Sequence, residues 1–134
     1  MITLEELNPK NFPLSEVQTA NLLKLHAAMN IVREAFGKPM FVTSGVRSME
    51  DHKRIYMEIA RARGIKQIRI PMGSQHLHAA AVDILDRSGA LYEWCKANEA
   101  VLIQAGLYCE EDQGVPRVHF QIYPPRSGNR WFRP

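Results

Sequence analysis

Two histidines and an aspartate, His76, Asp83 and His119, are the residues of this chain best suited to act together as a chemical centre. Imidazole nitrogens and carboxylate oxygens are donors that zinc accepts in a tetrahedral site, and a catalytic site uses three such ligands and keeps the fourth position for water. Convergence depends on the segments that carry them. Ala79 to Ile84 and Val118 to Ile122 both read as short strands, in which successive side chains alternate between faces. In the first, Val82 and Ile84 share one face while Ala81 and Asp83 share the other. In the second, Val118, Phe120 and Ile122 share one face while His119 and Gln121 share the other. Each strand offers an apolar face to a core and sends its candidate ligand to the opposite side. As sheet neighbours they would open Asp83 and His119 into one cleft, with the loop before Ala79 bringing His76 over them. Taken alone, the same residues also fit a plain structural reading, with Asp83 in a turn or cap and His76 exposed.

The elements that must hold these residues follow from periodicity and punctuation. Met1 to Leu14 reads as an irregular lead-in broken by Asn8-Pro9 and Phe12-Pro13. Ser15 caps a helix to Phe36, with Leu22, Leu25, Met29, Val32 and Phe36 as its apolar stripe and Gly37 as its stop. His26 lies beside that stripe as a partly buried structural histidine. Met40 to Thr43 is a short strand. Ser48 with Asp51 resembles a capping box opening a second helix from Met49 to about Arg63, closed by Gly64. Its stripe is Ile55, Ile59 and Ala62, with His52 one turn earlier in a structural or solvated role. A loop from about Ile70 to Gln75 precedes the Asp83 strand. Ser88 caps a third helix to Ala105, with Leu91, Trp94, Val101 and Leu102 inward and Asn98 needing partners on that face. Leu107 to Glu110 and Val118 to Ile122 supply two more strands, and the tail from Pro124 to Pro134 reads as irregular and basic. Three helices and four short strands predict an α+β fold, one domain spanning residues 1–134 in which helices pack on a small, largely antiparallel sheet.

Composition bounds the function. The chain has 134 residues, 46% of them hydrophobic and 23% charged, the profile of a globular domain and not of a disordered or fibrous chain. A net charge of +3 suits an anionic polymer but is too small to announce a nucleic-acid binder. Cys95 and Cys109 cannot build a disulfide framework and form no C-x-x-C pair, so both read as reduced core thiols. Acidic residues follow Met1 where a signal peptide needs positive charge, and no stretch reaches the ~18 apolar residues of a membrane span. The expectation is a protein made in the cytosol without a signal peptide and without a membrane partner.

Three motifs occur in order: Thr43-Ser44-Gly45-Val46-Arg47-Ser48, then Ser74-Gln75-His76-Leu77-His78-Ala79-Ala80-Ala81-Val82-Asp83, then Val118-His119-Phe120-Gln121. Together they resemble S-G-x-R-S, S-x-H-x-x-G-x-A-x-D and the late V-H of the zinc D-alanyl-D-alanine carboxypeptidase family. That family also holds peptidoglycan LD-carboxypeptidases and phage L-alanyl-D-glutamate endolysins, and shares its fold with the Hedgehog signalling domain. The resemblance covers roughly Phe41 to Ile122. It implies one zinc ion held by His76, Asp83 and His119, with Arg47 stabilising an oxyanion or binding the substrate carboxylate, and Ser74 contacting substrate or shaping its loop. His78 is not a ligand in that pattern.

Two departures stand out. Ala79 occupies the family's glycine, and Pro116 occupies the position of the catalytic acid in many members. Other members carry that acid near the end of the preceding strand, where this chain offers Glu110, Glu111 and Asp112. Alternation turns Leu107 and Cys109 to the core and Tyr108 and Glu110 to the cleft, which makes Glu110 the expected base and Glu111 the second choice. The function so implied is zinc-dependent hydrolysis of peptide bonds in peptidoglycan stem peptides, as a carboxypeptidase or an endolysin-type endopeptidase. The short chain fits a phage-encoded enzyme that acts on the cell wall after export or as part of a virion. The alternative is an inactive zinc-stabilised binding or virion structural module of the same fold. The bond cut and the oligomeric state are left open.

Overall fold

Helix ends in this protein are set by side chains that satisfy otherwise unpaired backbone groups. In a computed structural model describing residues 1–70, 73–112 and 114–133, Thr3 and Glu6 form a reciprocal capping box that starts a short helix, α1 (Leu4–Leu7). The lead-in is therefore not irregular throughout. Four residues cannot sustain a helix alone; α1 is held because Leu7 and Ile2 are buried and Asn30 bonds both the N–H and the carbonyl of Ile2. Ser15 and Gln18 form a second reciprocal box for α2 (Glu16–Phe36), which ends at Gly37 in the left-handed conformation. Its stripe of Leu22, Leu25, Met29 and Val32 is buried as expected. His26 is half-buried against Asn30.

A short strand, β1 (Val42–Ser44), leads to α3 (Met49–Arg63), capped by the Ser48 hydroxyl on the Asp51 N–H. The box is not reciprocal, because the Asp51 carboxylate turns to Lys10 and Arg54 instead. The buried residues of α3 are His52 and Ala60, while Ala62, expected inward, is exposed. The expected loop before Asp83 ends in a 3-10 turn (Gln75–His78) that carries His76, and β2 (Ala81–Leu85) follows. Pro71 and Met72 of that loop lie outside the described residues, as do Gln113 and Pro134.

The expected third helix is two, α4 (Ala90–Ala97) and α5 (Glu99–Ala105), broken at Asn98, whose side-chain amide donates to the Trp94 carbonyl. The cap is also different: the Asp86 carboxylate accepts from the N–H groups of Leu91 and Tyr92, while the Ser88 hydroxyl takes only that of Ala90. β3 (Tyr108–Glu110) and β4 (Arg117–Gln121) come next. The tail forms a fifth strand, β5 (Trp131–Phe132), because Cys109 and Glu111 donate to the Arg130 and Phe132 carbonyls.

The sheet has the order β1-β2-β4-β3-β5 and is antiparallel except for the β3–β5 pair. Val82, Ile84, Val118, Phe120, Leu107 and Cys109 face one way and pack on α2, α5 and α1 as a single α+β core. Burying a residue such as Phe120 completely removes enough apolar surface that truncation to alanine costs about 3–5 kcal/mol. Both cysteines are buried in this layer, and burial pushes the Cys95 thiol up to about 12 and that of Cys109 well above its ordinary value. A thiol reagent near about pH 8 is therefore expected to modify neither in the folded protein and both on unfolding, since the thiolate is the nucleophile. Rapid labelling of either in the native state would contradict this packing. Among the described residues no helix is long and apolar enough to cross a membrane.

Candidate metal centre

The opposite face of the sheet carries the predicted ligands. β2 and β4 are neighbours, and their register sets Asp83 directly opposite His119. The Nδ1 of His119 lies 2.9 Å from Asp83 Oδ1, and the Nε2 of His76 lies 3.4 Å from the same oxygen. All three side chains are buried, and their donor atoms lie within 4.8 Å of one another. Ligands bonded tetrahedrally to zinc at about 2.0–2.1 Å stand roughly 3.3 Å apart, so the spacing fits one ion of that size.

Local structure explains why each donor points inward. His76 sits on the 3-10 turn, which Gln18 and Asn21 of α2 hold by donating to the Leu77 and His78 carbonyls. His76 Nδ1 stands 2.8 Å from the Gly45 carbonyl, an acceptor, so Nδ1 carries the proton and Nε2 presents a lone pair. The turn closes at Ala79 with φ 56°, the left-handed region where glycine is normally favoured, and its methyl is fully buried. Alanine therefore occupies a left-handed backbone position here. His78 is exposed and stands outside the cluster formed by the other two histidines.

The Ser44-Gly45-Val46-Arg47 segment is stitched across the site. Val46 donates to the Leu7 carbonyl and Arg47 to that of His76. A Cβ at Gly45 would overlap the Leu7 carbonyl oxygen, so this glycine is required by the close approach of α1. Gly45→Ala is expected to cost about 1–3 kcal/mol through overpacking. Because the Gly45 carbonyl orients His76, any affinity of the group for a divalent metal should also fall by about tenfold or more. A melting curve and a zinc titration check both, and unchanged values would show that α1 yields without disturbing the turn.

Arg47 reaches the centre from this segment. Its guanidinium lies 3.8 Å from Asp83 Oδ2, and its Nε donates to the Ser44 hydroxyl at 3.1 Å. His52 of α3 is fully buried beside it, ring to ring with Tyr56. Ser74 precedes the 3-10 turn and its hydroxyl makes no capping bond.

The three candidate acids part company. Glu110 projects into the cleft with Oε1 3.8 Å from His119 Nδ1. Glu111 instead accepts from the Tyr92 hydroxyl at 2.9 Å and from Lys96 Nζ at 3.0 Å, on the α4 side. Asp112 accepts from the Gly114 N–H in the loop. Pro116 is exposed just before β4.

Two further residues share the cleft face of β4. Arg117 places Nη1 3.6 Å from Asp83 Oδ1, and Gln121 Oε1 stands 2.9 Å from His119 Nε2. Strand alternation puts Gln121 on His119's face without pointing to a role for it. Arg117 falls outside a strand that begins at Val118, and extending the same alternation by one residue finds it.

Electrostatics concentrate on Asp83. Burial opposes its charge, but hydrogen bonds from His119 and His76 outweigh that, and its carboxyl is held far below the usual carboxylate range. Burial keeps His76 below the ordinary histidine value, favouring the neutral ligand form. Burial also disfavours the charged form of His119, yet its bond to Asp83 raises it on balance. The 2.9 Å contact between His119 Nδ1 and Asp83 Oδ1 is a hydrogen bond while the ring carries a proton there. With that proton gone, two imidazole nitrogens and one carboxylate form a donor set that suits a divalent cation.

No family model matches the sequence, and no curated protein matches it. Among solved structures, the crystal structure of the Serratia marcescens L-Ala D-Glu endopeptidase ChiX is similar, with a TM-score of 0.50 and 20% sequence identity. The likeness covers 87% of this chain and 93% of that one. A likeness at that identity speaks to architecture: the chain shares its α+β fold with that structure, and in this chain His76, Asp83 and His119 form a buried group that could hold a metal ion.

Proposed function

We propose that residues 1–134 form one zinc-dependent peptidase domain that hydrolyses peptide bonds in peptidoglycan stem peptides. The observation that carries this reading is the buried convergence of His76 Nε2, His119 Nδ1 and Asp83 with an acid, Glu110, alongside. Because the similar structure is that of an L-Ala D-Glu endopeptidase, the L-Ala–D-Glu bond is the first substrate to test. His76, Asp83 and His119 would hold the ion. When bound there it supplies Lewis acidity, easing proton loss from water and accepting charge from a carbonyl oxygen.

The remaining steps belong to the chain's own side chains. Glu110 takes the proton from water and returns it to the leaving nitrogen, the usual work of a carboxylate general base and acid. Arg47, permanently charged and mostly buried, stabilises the oxyanion or grips a substrate carboxylate through its forked donors. Ser74, with no capping bond, is available to hydrogen-bond the peptide. Beyond the Phe132 ring, which stands 6.3 Å from that of His119, lies a cleft of about 620 Å³ lined in part by Arg126 and Arg133. Cations there suit a carboxylate-rich peptide.

The test is to incubate the zinc-loaded protein with stem-peptide fragments and read the products by mass spectrometry, with and without chelator. The expected result is cleavage at one bond, lost with chelator and restored by zinc. Stoichiometric zinc with no bond cut would favour a zinc-stabilised binding or virion structural module, a reading the proline at position 116 admits.

A further inference from the structure

Gln121 is buried beside His119 and its amide is used at both ends. The Nε2 of Gln121 donates to the Tyr123 carbonyl at 2.8 Å. A flipped amide would set its oxygen against that carbonyl and its NH₂ against the ring nitrogen that must then accept, so the bond fixes the orientation. Oε1 accordingly faces His119 Nε2 at 2.9 Å, and an amide oxygen can only accept. A proton is thereby held on Nε2, which leaves Nδ1 as the nitrogen able to exchange its hydrogen bond to Asp83 for a metal. The other ring nitrogen, Nδ1, is the one that stands beside Asp83.

We propose that Gln121 is a positioning residue that selects the Nε2-protonated tautomer of His119 and so aims its Nδ1 lone pair at the metal. The Gly45 carbonyl does the mirror-image task for His76, holding the proton on Nδ1 and presenting Nε2. Gln121 is also linked to the rest of the site. The Tyr123 hydroxyl donates to Asn21 Oδ1, and Asn21 Nδ2 donates to the His78 carbonyl at 3.0 Å. One run of residues thus joins the strand bearing His119 to the turn bearing His76, which sets both rings relative to each other. Partners of this kind orient ligating histidines and tune their basicity.

The inference rests on the metal-site reading above, and its readouts are independent of cleavage. Protein with ¹⁵N-labelled histidine reports, in the zinc-loaded state, which His119 nitrogen is bound and which keeps its proton, and competition against a chelating dye reports affinity for zinc alone. Wild type is expected to show the Nε2–H form and to bind zinc. Gln121→Leu, which removes the acceptor, should show a mixture of tautomers and bind zinc about 10–100-fold more weakly. Gln121→Glu keeps an acceptor toward Nε2 and, with its second oxygen protonated, a donor toward the Tyr123 carbonyl, so it should retain the Nε2–H form and bind well above the leucine variant. Wild-type affinity and an unchanged tautomer in Gln121→Leu would overturn the proposal, as would a loss in Gln121→Glu as deep as in Gln121→Leu. If the leucine variant fails to fold, the wild-type tautomer and the glutamate variant still decide it. Zinc bound as expected without peptide cleavage would instead defeat the proposed function and leave this inference standing.

Discussion

Asp83→Asn is expected to strip the protein of zinc and to reduce peptide cleavage by about 10³-fold or more. Asp83 is the single anion of the donor set, and its side chain is only 3% exposed. Four groups converge on it: His119 Nδ1 at 2.9 Å, His76 Nε2 at 3.4 Å, Arg117 Nη1 at 3.6 Å and Arg47 Nη2 at 3.8 Å. Asparagine keeps the shape and removes the charge, so it separates electrostatics from packing. Losing the ion forfeits several kcal/mol of transition-state stabilisation, and each 1.36 kcal/mol or so is a factor of ten in rate. A stability loss smaller than the about 3–5 kcal/mol for breaking a buried pair is expected, because His119 can shed its proton once its partner is neutral. Elemental analysis after the variant is offered zinc, with a cleavage assay on the same sample, is the measurement. Full zinc content with full turnover would remove Asp83 from the ligand set.

The second large effect is expected at Glu110. Glu110→Gln should leave zinc content unchanged and lower turnover by about 10²–10⁴-fold, the range ascribed to a positioned general base. The amide retains the size and the hydrogen-bonding reach of the acid but cannot take a proton. Its neighbour supplies the control. Glu111 bonds Tyr92 and Lys96 on the other side of β3, so Glu111→Gln should weaken a partly exposed ion pair worth no more than about 1 kcal/mol. Its turnover should stay near that of wild type. If Glu111→Gln were the inactive variant and Glu110→Gln the active one, the base would be reassigned.

Strand alternation placed Asp83 and His119 on one face, while the grouping of His76 with them as candidate ligands rested on residue type and on the resemblance of the three motifs. Asp83 and His119 each follow an apolar neighbour that must face a core, so period-two geometry sends both to the opposite side. Glu110 was legible for the same reason, as the residue next to core-facing Cys109. The two helices with serine caps and glycine stops, α2 and α3, ended where those signals said. These are local rules, acting between residues within a few positions of each other.

What escaped the sequence depends on distant partners. α1 carries a capping-box signature, but four residues hold a helix only because Asn30 and the buried Leu7 anchor it. Helices α4 and α5 separate at Asn98 with neither proline nor glycine to mark the break. β5 consists of two residues that become a strand through pairing with β3. Arg117 joins the cleft because β4 extends one residue further along β2, where Leu85 pairs with it.

Side-chain alternation, then, was enough to put Asp83, His119 and Glu110 on the face away from the core, since it is a property of a chain segment a few residues long. The register that sets Asp83 against His119, the tautomers chosen by Gly45 and Gln121, and the separation of Glu110 from Glu111 required the folded molecule. Apart from the Gln121–His119 contact, two residues along β4, those features arise from hydrogen bonds and packing between segments as much as 36 residues apart, as between His119 and Asp83, and no local pattern encodes which of them will meet.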